Sequence, residues 1–319
     1  MSDPDKQPGG PADQPRDKRT DDVIALPPPT PPPEHMVTHA LPHLENKMAR
    51  ATRRLAFGYS LDIGLVREIN EDSVYAFFAG LGSIDEVPDF GIFLVADGAG
   101  GHEEGERASA VAARVFASYV HDHVYRAILR PRLPGEEDLS TQRPPVSEVI
   151  EQAVRAADEA VRQVVPEGGT TLTAAVVIGS LVYFAHVGDS RAYLLTRETE
   201  GGDFSMTRVT RDHSLVHRLE EIGQLTPEQA AHHPDSNRLW MILGMTDTLE
   251  PEITTRRLTP DSYLLLCSDG LWNMADEAEM VRIIVEAPSP QVASERLVAL
   301  ANGQGGADNI SALVLHMPG

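Results

Sequence analysis

Short apolar runs and amphipathic stretches alternate along the chain from about residue 55 onward. The uninterrupted apolar runs at 91–96 and 263–268 predict buried strands, because a strand covered on both faces has no polar side. Apolar residues recur at helical spacing over 104–125 and 150–164. The other predicted elements are strands at 55–62, 73–78, 170–178, 182–187, 191–196, 204–210 and 309–316, and helices at 213–223, 275–286 and 291–302. Strands grouped in the middle, with helices in pairs, predict an α+β fold of two antiparallel sheets covered by helix layers.

The N-terminal stretch has a different composition. Residues 1–42 contain 11 of the 24 prolines and few large apolar residues. Such a segment buries too little surface to offset the entropy lost on ordering. We therefore predict a disordered, proline-rich arm at 1–48, which serves as a spacer or as a docking tail, and one folded domain at 49–319.

Composition narrows the class of protein. The net charge of −21 argues against a nucleic-acid-binding protein, which needs a basic face, and favours attraction of divalent cations. All three lysines precede residue 48, so the domain has no lysine for a P-loop or a Schiff base, although compositional bias also accounts for this. The single cysteine, Cys267, lies in an apolar run and is interpreted as a buried hydrophobe. With no secretory leader and no membrane-length apolar run, we expect a cytoplasmic protein without a membrane partner.

Four aspartates in four separate short motifs carry the chemistry: Asp72, Asp97, Asp269 and Asp308. Two of them directly follow the predicted buried strands at 91–96 and 263–268. A buried carboxylate without a counter-charge is costly, so four carboxylates at strand ends and glycine-rich turns predict a bound cation. Oxygen ligands favour Mg²⁺ or Mn²⁺ over zinc.

These motifs resemble those of the metal-dependent serine/threonine protein phosphatase family, type 2C, in its bacterial subgroup. The matching stretches occur in family order at 67–72, 95–102, 169–171, 188–191, 212–214, 243–244, 268–270 and 306–309. The resemblance implies a four-layer αββα sandwich, in which two stacked antiparallel sheets are flanked by helix pairs. It also implies a two-metal site in the cleft between the sheets.

The resemblance further implies a role for each acidic residue. Asp97 would bridge two Mg²⁺ or Mn²⁺ ions, and the Gly98 carbonyl would bind one of them. Asp269 and Asp308 would complete the shell of one ion, while Asp72 would hold the other, partly through water. Asp189 would bind a third, weaker ion; its alternative role is an Asx turn in a tight hairpin.

Arg67 is expected to bind the substrate phosphate, which its planar fork suits. The alternative is a surface arginine paired with Glu68 or Glu71. Residues 212–246 correspond to the mobile flap of the family, and the adjacent His232 and His233 in it are interpreted as loop residues and not as zinc ligands.

One position departs from the pattern of some relatives, which carry a histidine directly after the Asp-Gly pair as a proposed general acid. This chain has Ala99 there, and His102 follows three residues later. The residue that protonates the leaving oxygen is therefore unassigned by the sequence.

The resemblance implies hydrolysis of phosphoserine and phosphothreonine in proteins through a metal-bridged water. The expected partners are proteins phosphorylated by a serine/threonine kinase. We expect a role in signalling and a monomeric state. Two alternatives stay open. One is a catalytically weak pseudophosphatase that binds phosphoproteins, and the other is a hydrolase of small phosphoesters or nucleotides.

Overall fold

The structure is a computed structural model that describes residues 55–80, 87–100, 103–130, 144–197, 199, 201–226, 229, 233–235 and 238–319. The predicted arm at 1–48 lies outside these ranges, as does most of the loop predicted at 130–145. The arm and the domain boundary after it therefore stay predictions.

Eleven strands in the described ranges form two antiparallel sheets. The first sheet has the strand order β2-β3-β5-β6-β9, with β4 paired to β3, and the second has the order β1-β11-β10-β7-β8. The strands of the first sheet are β2 (Asp72–Ala79), β3 (Phe90–Ala99), β4 (Gly169–Thr170), β5 (Leu172–Ile178), β6 (Leu181–Val187) and β9 (Glu252–Arg257). Those of the second are β1 (Ala56–Asp62), β7 (Arg191–Thr196), β8 (Ser205–Arg208), β10 (Ser262–Cys267) and β11 (Ile310–Met317).

The inner faces of the two sheets share one apolar core. Side chains alternate across a strand, so β3 sends Phe93 and Val95 into this core and Ile92 and Leu94 to its other face. The second sheet contributes Leu264 and other inward residues, all fully buried. This is why β3 and β10 appear in the sequence as continuous apolar runs instead of alternating ones.

Helices cover both outer faces. They are α1 (Glu103–Val120), α2 (Arg126–Leu129), α3 (Val146–Val164), α4 (Leu215–Glu221), α5 (Asp269–Trp272), α6 (Glu277–Glu286) and α7 (Pro290–Gly303). Helices α1 and α3 pack on the first sheet, and α6 and α7 pack on the second. Helix α7 begins as its sequence indicates, because the Ser289 hydroxyl accepts the Val292 N–H and Pro290 occupies the first turn. The predicted αββα fold is confirmed.

A few elements differ from the prediction. Strand β9 was not predicted, and the strand predicted at 170–178 is two strands separated at Thr171. The helix predicted at 104–125 is α1 followed by a π-helical turn at His121–Tyr125. The helix predicted at 213–223 is confined to α4. None of the helices in the described ranges is both long and apolar enough to cross a membrane.

Candidate active site

The fold brings the four aspartates of the sequence motifs to one end of the two sheets. Asp72 begins β2 and is the register partner of Asp97 near the end of β3. Asp269 starts α5 immediately after β10, and Asp308 precedes β11, which is the neighbour of β10. The first sheet thus supplies two carboxylates and the second sheet supplies the other two.

Asp72 joins the two sheets through hydrogen bonds. Its Oδ2 accepts the hydroxyls of Ser268 at 2.7 Å and of Ser311 at 2.6 Å, both from the second sheet. Its Oδ1 is buried and has no hydrogen-bond partner in the described part of the chain. Burial raises the pKa of Asp72 to about 7, and the two hydroxyls only partly oppose this. Burying a carboxylate oxygen without a partner costs free energy, so Asp72 is suited to binding a cation through Oδ1.

Asp97 is fixed through its backbone. Its N–H donates to the Thr171 hydroxyl at 2.9 Å, and its carbonyl accepts the Thr171 N–H at 2.8 Å and the Thr170 hydroxyl at 2.9 Å. Burial raises the pKa of the Asp97 carboxyl well above its usual value, and the negative charges of the other aspartates raise it further. Those charges belong to Asp72, Asp269, Asp189 and Asp308. Five carboxyl groups therefore act on one another electrostatically in this region.

Asp269 and Asp308 lie beside Arg67. The Arg67 guanidinium donates to Asp308 Oδ2 at 2.6 Å, and this bond raises the pKa of Arg67. Burial raises the pKa of Asp269 to about 6, with the charge of Asp308 adding to the rise and Arg67 opposing it. The ion pair of Arg67 in the described part of the chain is thus with Asp308, and the charge of Glu71 also acts on the guanidinium.

Asn309 holds the segment that carries Arg67. Its side-chain N–H groups donate to the carbonyls of Ile63 and Ile69, each at 2.9 Å, and its Oδ1 accepts the Glu71 N–H at 2.8 Å. These three bonds fix both ends of the turn between β1 and β2. Arg67 is therefore presented by a fixed turn, although its own side chain is about half exposed.

Asp189 belongs to the same region and is buried. Its backbone carbonyl accepts the indole N–H of Trp272 at 3.0 Å. Trp272 follows Asp269 by three residues in the sequence. The Arg191 guanidinium lies 3.4 Å above the Trp272 ring and donates to both carboxylate oxygens of Asp212. Burial raises the pKa of Asp189 well above its usual value, and the Asp269 charge is the next contribution. The charge of Asp269 therefore acts on Asp189, whose part in binding a third ion stays a prediction.

Gly98 marks a close approach between β3 and the first turn of α1. A Cβ at this position would lie 2.2 Å from the Gly105 carbonyl oxygen, so no larger residue fits. Its N–H donates to the Glu71 carbonyl at 3.1 Å, which ties the end of β3 to the start of β2. Ala99 ends β3, and His102 lies outside the described residues.

The base of the predicted flap is attached to the Asp189 turn through His213. The His213 N–H donates to the Gly188 carbonyl at 2.7 Å, and its Nδ1 accepts the Gly188 N–H at 3.0 Å. Burial lowers the pKa of His213 to about 3, so the ring stays neutral and can accept this bond. His213 also lines a cavity of about 330 Å³ with Trp240 and His217, and none of the five aspartates contributes to that cavity.

The sequence offered two other candidates for chemistry, the His232–His233 pair as zinc ligands and Cys267 as a nucleophile. The Nδ1 of His233 accepts the Asp235 N–H, which fits a loop residue, while His232 lies outside those ranges. Cys267 is fully buried, and burial raises the pKa of its thiol to about 12, so it is the hydrophobe that was predicted.

The side chains are held by protein contacts in this arrangement. No three Asp, Glu, His or Cys side chains of the described ranges lie close enough together to share one ion. Like-charged groups repel one another, and hydroxyls and Arg67 hold Asp72 and Asp308 instead. The unpaired Asp72 Oδ1 nevertheless fits a cation, as does the raised pKa of Asp97, which burial causes and the charges of the other aspartates increase. Binding would need side-chain shifts and would compete with Arg67 for Asp308.

Sequence reasoning missed the groups that hold these aspartates. It assigned no role to Ser268, Ser311, Thr171, Asn309 or Trp272. The only signal was that Ser268 and Asn309 lie inside motifs that carry an aspartate and that Thr171 lies inside the motif at 169–171. Ser311 and Trp272 lie outside every motif, and only the packing of the second sheet against the first brings Ser311 to Asp72.

Comparisons with known proteins identify the family of the chain. The family model for protein phosphatase 2C matches residues 78–301. The serine/threonine phosphatase stp of Listeria welshimeri is 35% identical over 258 residues, which is 81% of this chain and 94% of that protein.

Two solved structures share the fold. The crystal structure of the Mycobacterium tuberculosis serine/threonine phosphatase PstP/Ppp has a TM-score of 0.64 at 32% identity, covering 83% of this chain and 99% of that one. The catalytic domain of PstP in complex with two manganese ions has a TM-score of 0.61 at 31% identity, covering 83% and 100%. With the fold, the carboxylate cleft and the sequence match in agreement, the chain belongs to the protein phosphatase 2C family.

Proposed function

We propose that this chain is a metal-dependent protein phosphatase that hydrolyses phosphoserine and phosphothreonine in proteins. The observation that carries the proposal is that four other aspartates act electrostatically on the buried Asp97, with one of them, Asp308, bonded to a half-exposed arginine. Family membership gives the same reaction class. Since none of the five acids is missing, a pseudophosphatase is the weaker alternative.

The acidic residues would hold the metal ions. The residues that would hold two ions, Mn²⁺ or Mg²⁺, are Asp72, Asp97, Asp269, Asp308 and the Gly98 carbonyl. Asp189, on which the charge of Asp269 acts, is the candidate for a third. When bound, such ions supply positive charge to the phosphoryl oxygens and lower the pKa of a water that can attack phosphorus.

Arg67 would position the phosphate. Its side chain reaches from a fixed turn to Asp308, so a phosphate arriving at the site meets the guanidinium beside the carboxylates. The planar fork can donate two hydrogen bonds to two phosphoryl oxygens. In doing so it would stabilise charge that builds up on those oxygens in the transition state.

The residues present favour direct attack by water over a covalent intermediate. Cys267 is buried with a raised thiol pKa, and all three lysines precede residue 48. Ala99 carries no proton to give to the leaving serine or threonine oxygen. We assign that proton to solvent in the cleft.

Several finer points belong to the same proposal. The substrates would be proteins phosphorylated by a serine/threonine kinase, and the setting would be cytoplasmic signalling by a monomer that binds neither nucleic acid nor membrane. Residues 49–319 would form the catalytic domain and the arm at 1–48 would stay disordered. The flap at 212–246 would control access, since its base is bonded to Gly188 next to Asp189.

The test is hydrolysis of p-nitrophenyl phosphate and of phosphothreonine peptides with Mn²⁺, with and without EDTA. We expect EDTA to abolish both activities, and Asp97→Asn and Asp269→Asn to lower kcat/KM by about 10³-fold, since each removes several kcal/mol of transition-state stabilisation. Asp203→Asn, at an exposed aspartate in the turn before β8, is the matched control and should retain activity.

Two outcomes would contradict the proposal. Activity that survives EDTA, or that persists in Asp97→Asn, would refute the metal mechanism. Rapid hydrolysis of nucleotides with inert phosphopeptides would instead assign the site to small phosphoesters.

A further inference from the structure

The two most exposed large apolar side chains of the described residues are neighbours in sequence. Leu65 is 69% exposed and Val66 is 67% exposed, and Arg67 follows directly. Single exposed apolar residues are common on protein surfaces and need no explanation. A pair next to the arginine proposed to bind phosphate is a different case, because it borders a site where a protein substrate must lie.

The turn that carries this pair is fixed, so the exposure is built into the fold. Gly64 adopts a left-handed φ of +80°, and its N–H donates to the Asp62 side chain at 2.9 Å. The Leu65 N–H donates to the Gly306 carbonyl at 2.7 Å. Together with the Asn309 bonds to Ile63 and Ile69, these contacts hold the backbone on both sides of the exposed pair.

The same turn packs directly on the loop that presents Asp308. A Cβ on Gly64 would lie 2.2 Å from the Asp308 carbonyl oxygen, and a Cβ on Gly306 would lie 3.0 Å from Leu65 Cγ. Backbone atoms of the two loops are therefore in contact. We call Leu65 and Val66 the apolar ledge, and it borders the carboxylate cleft.

We infer that the apolar ledge binds an apolar side chain of the protein substrate that flanks the phosphorylated residue. The inference rests on the proposed function and names the substrates it prefers: phosphoproteins with Leu, Ile, Val or Phe close to the phosphate. A flanking residue of the substrate is the expected ligand because Leu65 and Val66 directly precede Arg67. If Arg67 binds the phosphate, the substrate residues beside the phosphoresidue lie next to the ledge. An extended peptide advances about 3.3 Å per residue, which places the contact within about three residues of the phosphoresidue.

The test compares two phosphothreonine peptides that differ only in the flanking residues within three positions of the phosphothreonine, leucine in one and serine in the other. We expect wild-type kcat/KM for the leucine peptide to exceed that for the serine peptide by about tenfold, the size of a modest apolar contact. In the double variant Leu65→Ser/Val66→Ser the preference should fall below about twofold. Hydrolysis of p-nitrophenyl phosphate by each variant verifies that the cleft is assembled.

Two further variants keep the result interpretable. Val66→Thr keeps the shape of the side chain, so it should fold as the wild type does and still lower the preference by about two- to threefold. Leu129→Ser removes an exposed leucine at the end of α2, away from the turn, and should leave the preference at about tenfold.

Equal rates on the two peptides in the wild type, or a preference that survives the double variant, would overturn the inference while leaving the proposed function intact. A wild-type dimer that the double variant converts to a monomer, seen by sedimentation, would also overturn it by assigning the ledge to a second copy of the chain. Absence of any Mn²⁺-dependent hydrolysis of p-nitrophenyl phosphate would instead refute the proposed function.

Discussion

The buried carboxyl of Asp72 suits metal binding but destabilises the folded chain when no metal is bound. Two serine hydroxyls stabilise its Oδ2, but its Oδ1 is buried without a partner in the described part of the chain. Burial then raises the pKa to about 7. A carboxyl placed this way is destabilising when it is charged and no cation is near, which is the expected cost of a metal ligand.

This residue predicts a pH-dependent stability difference in metal-free protein. Asp72 binds its proton more tightly in the folded chain than in the unfolded chain. Its stabilising contribution is therefore fully present below its usual pKa of 3.8 and is lost as the pH rises through about 7. In EDTA we expect Asp72→Asn to gain about 2–3 kcal/mol in the free energy of unfolding relative to wild type between about pH 5 and about pH 8.

Urea unfolding of both proteins at several pH values measures this difference. The comparison cancels the buried His186 and His213, whose lowered pKa values act in the opposite direction in both proteins. A difference that stays constant over the whole range would show that Asp72 does not titrate as its burial indicates.

At the scale of elements, β1 depends on close contact with α7. Strand β1 is an edge of the second sheet, and the Gln291 side chain of α7 pairs with both backbone groups of Tyr59, at 3.2 Å and 2.9 Å. Covering an edge in this way prevents pairing with another chain. The helix can approach because Gly58 has no side chain: a Cβ there would lie 2.2 Å from Gln291 Cα.

We therefore expect Gly58→Ala to lower the free energy of unfolding by about 1–3 kcal/mol through overpacking of β1 against α7. Gly303→Ala is the matched control, because that glycine ends α7 with nothing within 4 Å of the added Cβ. The control should be unchanged or gain up to about 1 kcal/mol. Chemical denaturation of the two variants measures the free energy of unfolding. Equal losses of stability in both would show that the close contact between β1 and α7 does not cause the loss.

Helices and strands with a clear pattern of apolar residues were predictable from the sequence. Those that depend on contacts with neighbouring elements were not. Helix α3 and strands β3 and β10 carry long apolar patterns, which burial on one or both sides imposes. Strand β9 contains a single large aliphatic residue, Ile253, and exists because its backbone pairs with β6 at the sheet edge. Helix α5 is four residues long, too short for a periodic signal.

At the scale of the whole molecule, the cleft is assembled from both sheets. Motif order identified the aspartates, but it could not indicate that Ser268 and Ser311 bond to Asp72 across the sheets, because residues about 200 apart in sequence meet only in the packed fold. The Arg67–Asp308 pair was likewise out of reach of sequence reasoning.

A cleft shared by two sheets predicts that metal ions stabilise the entire domain. A ligand that binds only the folded state at about 100 times its Kd adds about 2.7 kcal/mol, which raises Tm by about 5–10 °C for a domain of this size. We expect this shift with Mn²⁺ in wild type and in Asp203→Asn, and its loss in Asp97→Asn. Scanning calorimetry measures it, and an equal shift in Asp97→Asn would place the ions elsewhere.

The hydroxyl bonds from Ser268 and Ser311 to Asp72 also bear on how the domain assembles. A partly folded chain in which only one layer of strands has formed would hold half of the ligands and would lack the hydrogen bonds that join the two layers. Such a species would capture dications poorly, so high ion affinity would appear only at the last stage of assembly, once both layers have docked.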